Sequence, residues 1–138
     1  MAAPPFTIER IDHVLLHVNG MTDSLKFYET VLGCALEGRM PQFGMAELRA
    51  GASHIGLVDV DSSEGAWAKE SAGKGRNVDH VALAVAPSDV RALREHLASN
   101  NVSIVEERDE DGPQGKSLSL YVRDPSGNTI ELLCQAAR

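Results

Sequence analysis

Two stretches of the chain share one alternation of apolar and polar positions. Residues 11–18 read IDHVLLHV and residues 78–85 read VDHVALAV, with the same residue at five of eight places. The period of two predicts a strand in each, with the histidine on one face and the valine that follows it on the other. A loop and then apolar residues at helical spacing follow both stretches. The repeat indicates a duplicated unit.

The first unit is predicted to contain one helix and four strands. Thr22 is a candidate cap for the helix, and Gly33 is placed to end it. Leu25, Tyr28 and Leu32 have the spacing of a buried helical stripe. Turn residues separate four segments with strand patterns, at about 8–18, 34–39, 43–49 and 53–60.

The second unit repeats this order after a segment rich in serine and glycine. Pro87 and Ser88 are suited to the first turn of its helix, and Asn100 and Asn101 to its end. An acidic stretch, residues 108–115, is predicted to be an exposed and mobile loop. The predicted strands lie at about 78–85, 102–107, 116–123 and 128–134.

The predicted fold is therefore α+β. Two βαβββ modules, module one (about 8–60) and module two (about 78–134), are joined by a linker at 61–77 and form one domain over residues 1–138. We expect a cup-shaped mixed sheet with the helices on its outer face. His13 and His80 would then lie on the free, inner face.

Bulk properties narrow the classes of function. A chain of 138 residues, 43% hydrophobic and 24% charged, suits one globular domain. A net charge of −7 argues against nucleic acid as a partner, which requires a basic face. No apolar run approaches the roughly 20 residues needed to cross a membrane, and the first residues lack the features of a signal peptide. Cys34 and Cys134 are too few for a disulfide framework and suggest reduced thiols in a cytoplasmic protein.

The repeat also relates two positions on the last strands of the modules. Residues 55–58 (IGLV) match residues 130–133 (IELL), so that Gly56 corresponds to Glu131 as His13 corresponds to His80. Glu131 alternates with apolar residues, and burying its charge is costly unless it is paired or binds a cation. Two imidazoles and a carboxylate on neighbouring strands predict a divalent metal site.

These motifs resemble those of a known family. The Asp-His-Val triplets at 12–14 and 79–81, with DPSGNTIEL at 124–132, are similar to the vicinal oxygen chelate superfamily. That superfamily includes glyoxalase I, extradiol dioxygenases, methylmalonyl-CoA epimerase, and fosfomycin and bleomycin resistance proteins. The resemblance implies a homodimer acting on a small molecule, with a divalent metal in each cup. His13, His80 and Glu131 match three ligand positions, and Glu131 is the candidate catalytic carboxylate.

The fourth ligand position falls on Gly56, which has no side chain. A site of two histidines and one carboxylate resembles that of the dioxygenases, which favours Fe(II) or Mn(II). Alternatively, a slip or bulge could bring His54 into the fourth position, and a glyoxalase I-type isomerase with Ni(II) or Zn(II) would follow.

A third alternative is a metal-free module that binds a drug, as in the bleomycin resistance proteins. His17, Ser119 and Tyr121 are further candidates to line the cup and contact a substrate or metal. Fosfomycin inactivation is disfavoured, because only Lys116 and Arg123 lie near the region where basic phosphonate contacts are expected. Whether a site closes within one chain or between two subunits stays open at this point.

Overall fold

The computed structural model describes residues 5–69, 77–112 and 115–135, and contains two four-stranded mixed sheets. Module one consists of β1 (His13–Val18), α1 (Met21–Lys26), a π-helical turn (Phe27–Val31), β2 (Ala35–Met40), β3 (Met45–Ala50) and β4 (Ser53–Asp59). Short 3₁₀ turns lie at Pro41–Phe43 and Ala66–Ala68. Module two consists of β5 (Val81–Val85), α2 (Val90–Ser99), β6 (Glu106–Gly112), β7 (Gly115–Arg123) and β8 (Thr129–Gln135).

The two sheets have the same topology. Their strand orders are β1-β4-β3-β2 and β5-β8-β7-β6, with the first pair parallel and the others antiparallel. This confirms the predicted α+β fold of two βαβββ modules. Among the described residues the strands form two separate sheets, one in each module, rather than one continuous sheet.

The register of the strands confirms the correspondence between Gly56 and Glu131. Leu15 of β1 lies opposite Gly56 of β4, and Ala82 of β5 lies opposite Glu131 of β8. Each of these pairs is two residues along the strand from the histidine of its module. Neighbouring residues in register point to the same face of a sheet. The free face therefore carries each histidine together with Gly56 or Glu131.

The helix-covered faces of both sheets contribute to one hydrophobic core. The burial of its side chains removes apolar surface from water, at roughly 25 cal/mol per Å², and this stabilises the two modules as one body. The largest buried side chains come from both modules: Tyr28, Leu48, Leu57, Leu97, Leu120 and Ile130. Cys34 and Cys134 are both buried and free, and burial raises the pKa of both thiols. No helix in the described parts of the chain is long and apolar enough to cross a membrane.

The first helix differs from its prediction. Thr22 does not cap it: the cap position is Gly20, whose φ is 98°, and no side chain accepts a hydrogen bond there. The helix widens into a π turn, in which the Leu32 amide donates to the Phe27 carbonyl five residues earlier at 3.1 Å. Gly33 has a φ of 73° where the helix ends, as predicted.

The second helix begins later than predicted. Its cap is Asp89, whose Oδ1 accepts a hydrogen bond from the Arg91 amide at 2.9 Å, so Pro87 and Ser88 lie outside the helix. Asn100 and the left-handed Asn101 (φ 58°) end it, as predicted.

Two strand predictions are also corrected. Residues 108–112 are not a loop but the second half of β6, an edge strand, where polar residues are favourable because one edge faces water. Val102 and Ile104 pack against the core before β6 begins. β1 begins at His13 instead of about residue 8, and Ile8 and Ile11 are 79% and 74% exposed.

A buried carboxylate joins the modules on the helix side. The Tyr28 hydroxyl donates to Asp124 Oδ2 at 2.8 Å, and Asp124 Oδ1 accepts from the amides of Ser126 and Asn128. The Asn128 side chain then donates to the His17 carbonyl at 3.0 Å. These bonds fix the predicted turn at 124–128 and hold it against β1.

Candidate metal centre

In module two, two of the predicted ligands are in direct contact. His80 Nε2 lies 3.0 Å from Glu131 Oε1 on the free face of the sheet. Glu131 is only 7% exposed, and its other oxygen, Oε2, accepts a hydrogen bond from the buried Ser119 hydroxyl at 2.9 Å. Ser119 and Glu131 are thus fixed as a pair beneath the imidazole.

His80 is oriented by the residue before it. Its Nδ1 lies 2.8 Å from Asp79 Oδ2, which directs Nε2 toward Glu131. Metal-binding histidines generally have such a partner on the second nitrogen. The hydrogen bond with Asp79 raises the pKa of His80, and the charge of Glu131 adds to this effect. Tyr121 packs edge-on against the imidazole, with 5.6 Å between the ring centroids.

In module one, His13 has the same local partner but no carboxylate beside it on the sheet. Asp12 Oδ2 lies 2.8 Å from His13 Nδ1, and this hydrogen bond lowers the pKa of Asp12. His13 is 58% exposed, compared with 35% for His80. The two Asp-His pairs are therefore alike in geometry, and they differ in what surrounds Nε2, which in His80 contacts Glu131.

The position of the missing fourth ligand is filled by a leucine. A Cβ added at Gly56 would lie 2.9 Å from Leu15 Cδ1, so the Leu15 side chain covers the glycine. The equivalent residue in module two is Ala82, which leaves room for Glu131.

His54 does not take the place of Gly56. The pairing of β4 with β1 and β3 runs without a shift from His54 to Val58, so the slip or bulge considered above is absent. His54 lies beside His13 in register, and its Nε2 is 3.7 Å from Glu37 Oε1. The His17 side chain is exposed near the end of β1.

The three predicted ligands do not come together within one chain. Among the described residues, no group of three His, Cys, Asp or Glu side chains converges as a metal site. His80 and Glu131 are adjacent, and His13 belongs to the other sheet. The spacing of the motifs could not reveal this, because it contains no information on how the two sheets are placed relative to each other.

A cavity of about 330 Å³ lies beside His80 of module two. Its walls include His80, Tyr121, Arg123 and two residues that sequence analysis did not assign to the site, Glu106 and Arg108. Glu106 falls in the strand predicted at 102–107 but was given no role, and Arg108 falls in the segment that was predicted to be a loop. Arg108 Nε pairs with Glu106 Oε1 at 2.8 Å, and its guanidinium lies 6.0 Å from the Tyr121 ring centroid.

A second cavity, of about 400 Å³, lies against the π turn of module one. It shares Arg123 with the first cavity but contains none of the predicted ligands. Its titratable side chains, which include Asp23 and Lys26, are not among the predicted site residues, whereas the smaller cavity is lined by His80 and Tyr121.

Comparisons with known proteins agree with this fold. The sequence model described as the Glyoxalase/Bleomycin resistance protein/Dioxygenase superfamily matches residues 10–132. The chain is 30% identical over 126 residues to virulence protein STM3117 of Salmonella typhimurium, covering 91% of this chain and 83% of that protein. It superimposes on an integron cassette protein of V. cholerae with a TM-score of 0.71, at 26% identity and covering 95% and 98% of the two chains.

A solved structure of the fosfomycin resistance protein FosX from Listeria monocytogenes has the same fold. The TM-score is 0.70 at 18% identity, with 94% of this chain and 93% of that chain covered. That structure, of a point mutant of FosX, contains Mn(II) and 1S,2S-dihydroxypropylphosphonic acid. Since the family model spans almost the whole chain, the chain belongs to the glyoxalase/bleomycin resistance protein/dioxygenase superfamily.

Proposed function

We propose that this protein is a divalent-metal-dependent enzyme that acts on a small molecule with two neighbouring oxygen atoms. His80 and Glu131 supply two of the metal ligands and His13 the third. The observation that carries the proposal is the 3.0 Å contact between His80 Nε2 and the buried Glu131 Oε1. Two nitrogens and one carboxylate form a set that leaves positions open for substrate, and it favours Fe(II) or Mn(II). Dioxygenase-type chemistry is the reaction class that this set suits best.

The donor atoms fit such an ion. Asp12 and Asp79 each lie 2.8 Å from the Nδ1 of their histidine, so both Nε2 atoms are available as ligands. Glu131 Oε2 is held by Ser119, and Oε1 is left to face His80. When bound, a divalent ion supplies Lewis-acid stabilisation of negative charge on the substrate oxygens.

The protein residues contribute orientation and exclusion of water. Ser119 keeps the Glu131 carboxylate in one rotamer, and Tyr121 packs against one edge of His80. Glu131, nearly buried, is also the group best placed to hold or move a proton at Oε1. The FosX complex is consistent with this proposal, since it contains both Mn(II) and a molecule with hydroxyl groups on neighbouring carbons.

The complete site requires a second copy of the chain. His13 does not join His80 and Glu131 within one chain, so we propose that His13 of one subunit completes the site of its partner. A homodimer with a twofold axis would form two such sites.

The test is the metal content of anaerobically purified protein together with two variants, His13→Ala and His80→Ala. We expect about one Fe or Mn per chain in the wild type and strong loss in each variant. If equal amounts of the two variants are unfolded and refolded together, about half of the dimers should contain one copy of each variant. Each mixed dimer has one intact site out of two, so about a quarter of the wild-type metal content should return. His17→Ala is the control, because His17 lies on the same strand face as His13.

The outcomes separate the parts of the proposal. Full metal loss that mixing does not restore means that the site is closed within one chain. Ni or Zn at the same stoichiometry favours the isomerase alternative. A wild-type protein that binds none of these ions, even after each is added back, would refute the enzyme proposal and leave a ligand-binding cup.

A further inference from the structure

We propose that Arg123 selects a substrate that carries a carboxylate in addition to its two metal-binding oxygens. This inference rests on the proposed function, since it concerns the cavity beside the proposed metal ligand His80. It narrows the substrate from any vicinal oxygen compound to a small acid. Neither the family nor the ligand set requires an acid.

Arg123 is placed by the register of β7 and β8. Tyr121 lies opposite Glu131, and Arg123, two residues further along β7, lies opposite Thr129 on the same face. Two residues along a strand span about 7 Å, roughly the length of a small substrate. Arg123 also lines the 330 Å³ cavity together with His80. A molecule bound at His80 in this cavity therefore has Arg123 at its far end.

The charge of Arg123 is available to a ligand. Within the described parts of the chain, Arg123 makes no ion pair, and its side chain is exposed. The neighbouring Asp124 does not neutralise it, because its oxygens accept hydrogen bonds from Tyr28, Ser126 and Asn128. The other arginine of the cavity, Arg108, is paired with Glu106 at 2.8 Å.

Module one has an arginine at the equivalent position, and that arginine is paired with a carboxylate. Arg49 lies opposite His54 on β3, the position that corresponds to Arg123 opposite Thr129. In module one a carboxylate is supplied, since Glu37 Oε1 lies 2.7 Å from Arg49 Nε. The arginine at this position is thus paired with a carboxylate in module one, whereas in module two its charge is left for a ligand. A planar guanidinium pairs well with a single carboxylate, through two parallel hydrogen bonds.

The experiment compares two catechols that differ in charge. Binding of 3,4-dihydroxybenzoate and of 4-methylcatechol to the Mn(II)-loaded protein is measured without oxygen by calorimetry, and Mn(II) binding itself is followed by electron paramagnetic resonance. We expect the wild type to prefer the benzoate. Arg123→Gln should weaken benzoate binding by about tenfold, with less than about twofold change for 4-methylcatechol. Arg49→Gln, the matched control, should leave both affinities unchanged.

Three results would overturn the inference: no preference for the acid in the wild type, equal weakening of both catechols by Arg123→Gln, or an equal loss in Arg49→Gln. Each of these occurs with Mn(II) bound, so the proposed metal site would survive it. Absence of Mn(II) binding in the wild type defeats the proposed function, and the inference with it. Arg123→Lys provides a further check, because it keeps the charge but loses the paired geometry, and its benzoate affinity should fall between those of the wild type and Arg123→Gln.

Discussion

Module one and module two have the same strand order and register but different chemistry on the free face. Each has an Asp-His pair at the start of its first strand, with 2.8 Å between Asp Oδ2 and His Nδ1. Beyond this pair they diverge: module two has Ala82 and Glu131 where module one has Leu15 and Gly56. The comparison shows that the backbone of the duplicated unit does not determine its ligands. Two side chains do.

The difference also has an energetic side. Module two buries a carboxylate, which is tolerated because His80 and Ser119 contact both of its oxygens. Module one fills the equivalent space with the apolar Leu15, which needs no partner. A charge retained in a buried position where an apolar pair would suffice is typical of a functional site.

The largest expected effect concerns Glu131. Glu131→Gln keeps the shape and the contact with Ser119 but removes the negative charge, so metal affinity should fall by about 100-fold or more. Calorimetric titration with Mn(II) measures this. Glu47→Gln is the control, because Glu47 lies opposite Gly56 on the free face of module one. Equal losses in the two variants would contradict the assignment of the site to module two.

The next prediction changes module one into the arrangement of module two. Gly56→Glu alone places a Cβ 2.9 Å from Leu15 Cδ1, the end of a partly exposed side chain that must move aside, and this should lower the free energy of unfolding by about 1 kcal/mol. Adding Leu15→Ala removes the obstructing atoms and reproduces the Ala82–Glu131 pair.

The double variant should recover most of the lost stability. If His13 and Glu131 belong to one shared site, it should also gain a fourth ligand, and its Ni(II) or Zn(II) affinity should rise by about tenfold. Urea unfolding in the presence of a chelator and metal titration test the two parts separately. A double variant that is no more stable than Gly56→Glu would show that Leu15 is not the obstacle.

The link between the modules provides a third prediction. Tyr28→Phe removes the hydroxyl that donates to Asp124 Oδ2, while the Asn128 side chain still donates to the same oxygen. The loss of one buried hydrogen bond to a charged group should lower the free energy of unfolding by about 1–3 kcal/mol. Ser126→Ala also removes a bond between modules, the one that Asn19 N donates to Ser126 Oγ, but it is exposed. Chemical denaturation should show a clearly smaller loss for Ser126→Ala. The reverse order would mean that Asp124 is not the main connection.

The smallest effect is the pH dependence of the metal-free protein. The pKa of His80 is raised above its ordinary value of 6.5, chiefly by Asp79. Its stabilising contribution is therefore fully present below about pH 6.5 and is lost as the pH rises through the folded-state pKa. Asp79→Asn should reduce stability mainly on the acidic side, and the two curves should converge at higher pH. Urea titrations from about pH 5.5 to about pH 8.5 measure this, and a constant difference across the range would exclude the mechanism.

Sequence alone predicted the duplication, the order of helices and strands along the chain, and the correspondence between Gly56 and Glu131, because alternation and repeat spacing are local properties. It failed where tertiary context decides. Residues 108–112 are polar and resemble a loop, yet they form an edge strand because β7 offers hydrogen-bonding partners along its free side. Ile8 lies in a segment whose sequence resembles a strand, but among the described residues no strand pairs with it, and it lies outside β1.

The candidate site shows the same limit. The individual residues His80 and Glu131 and the supporting Ser119 were predicted from their alternation with apolar neighbours. Arg108 was not, since it lies in the part of β6 that was predicted to be a loop. The separation of His13 from the other two ligands depends on how two sheets pack, and no motif in either module encodes that arrangement.

The contacts around Asp124 also indicate that the protein could be produced as two separate fragments. Because a shared core and the bonds from Tyr28 and Asn128 hold the halves together, the peptide connection between residues 69 and 77 is not what keeps them in place. Two separately expressed fragments, one for each βαβββ module, should therefore reassociate without a covalent link. Recovery of metal binding would then report the reassociation of the two fragments themselves.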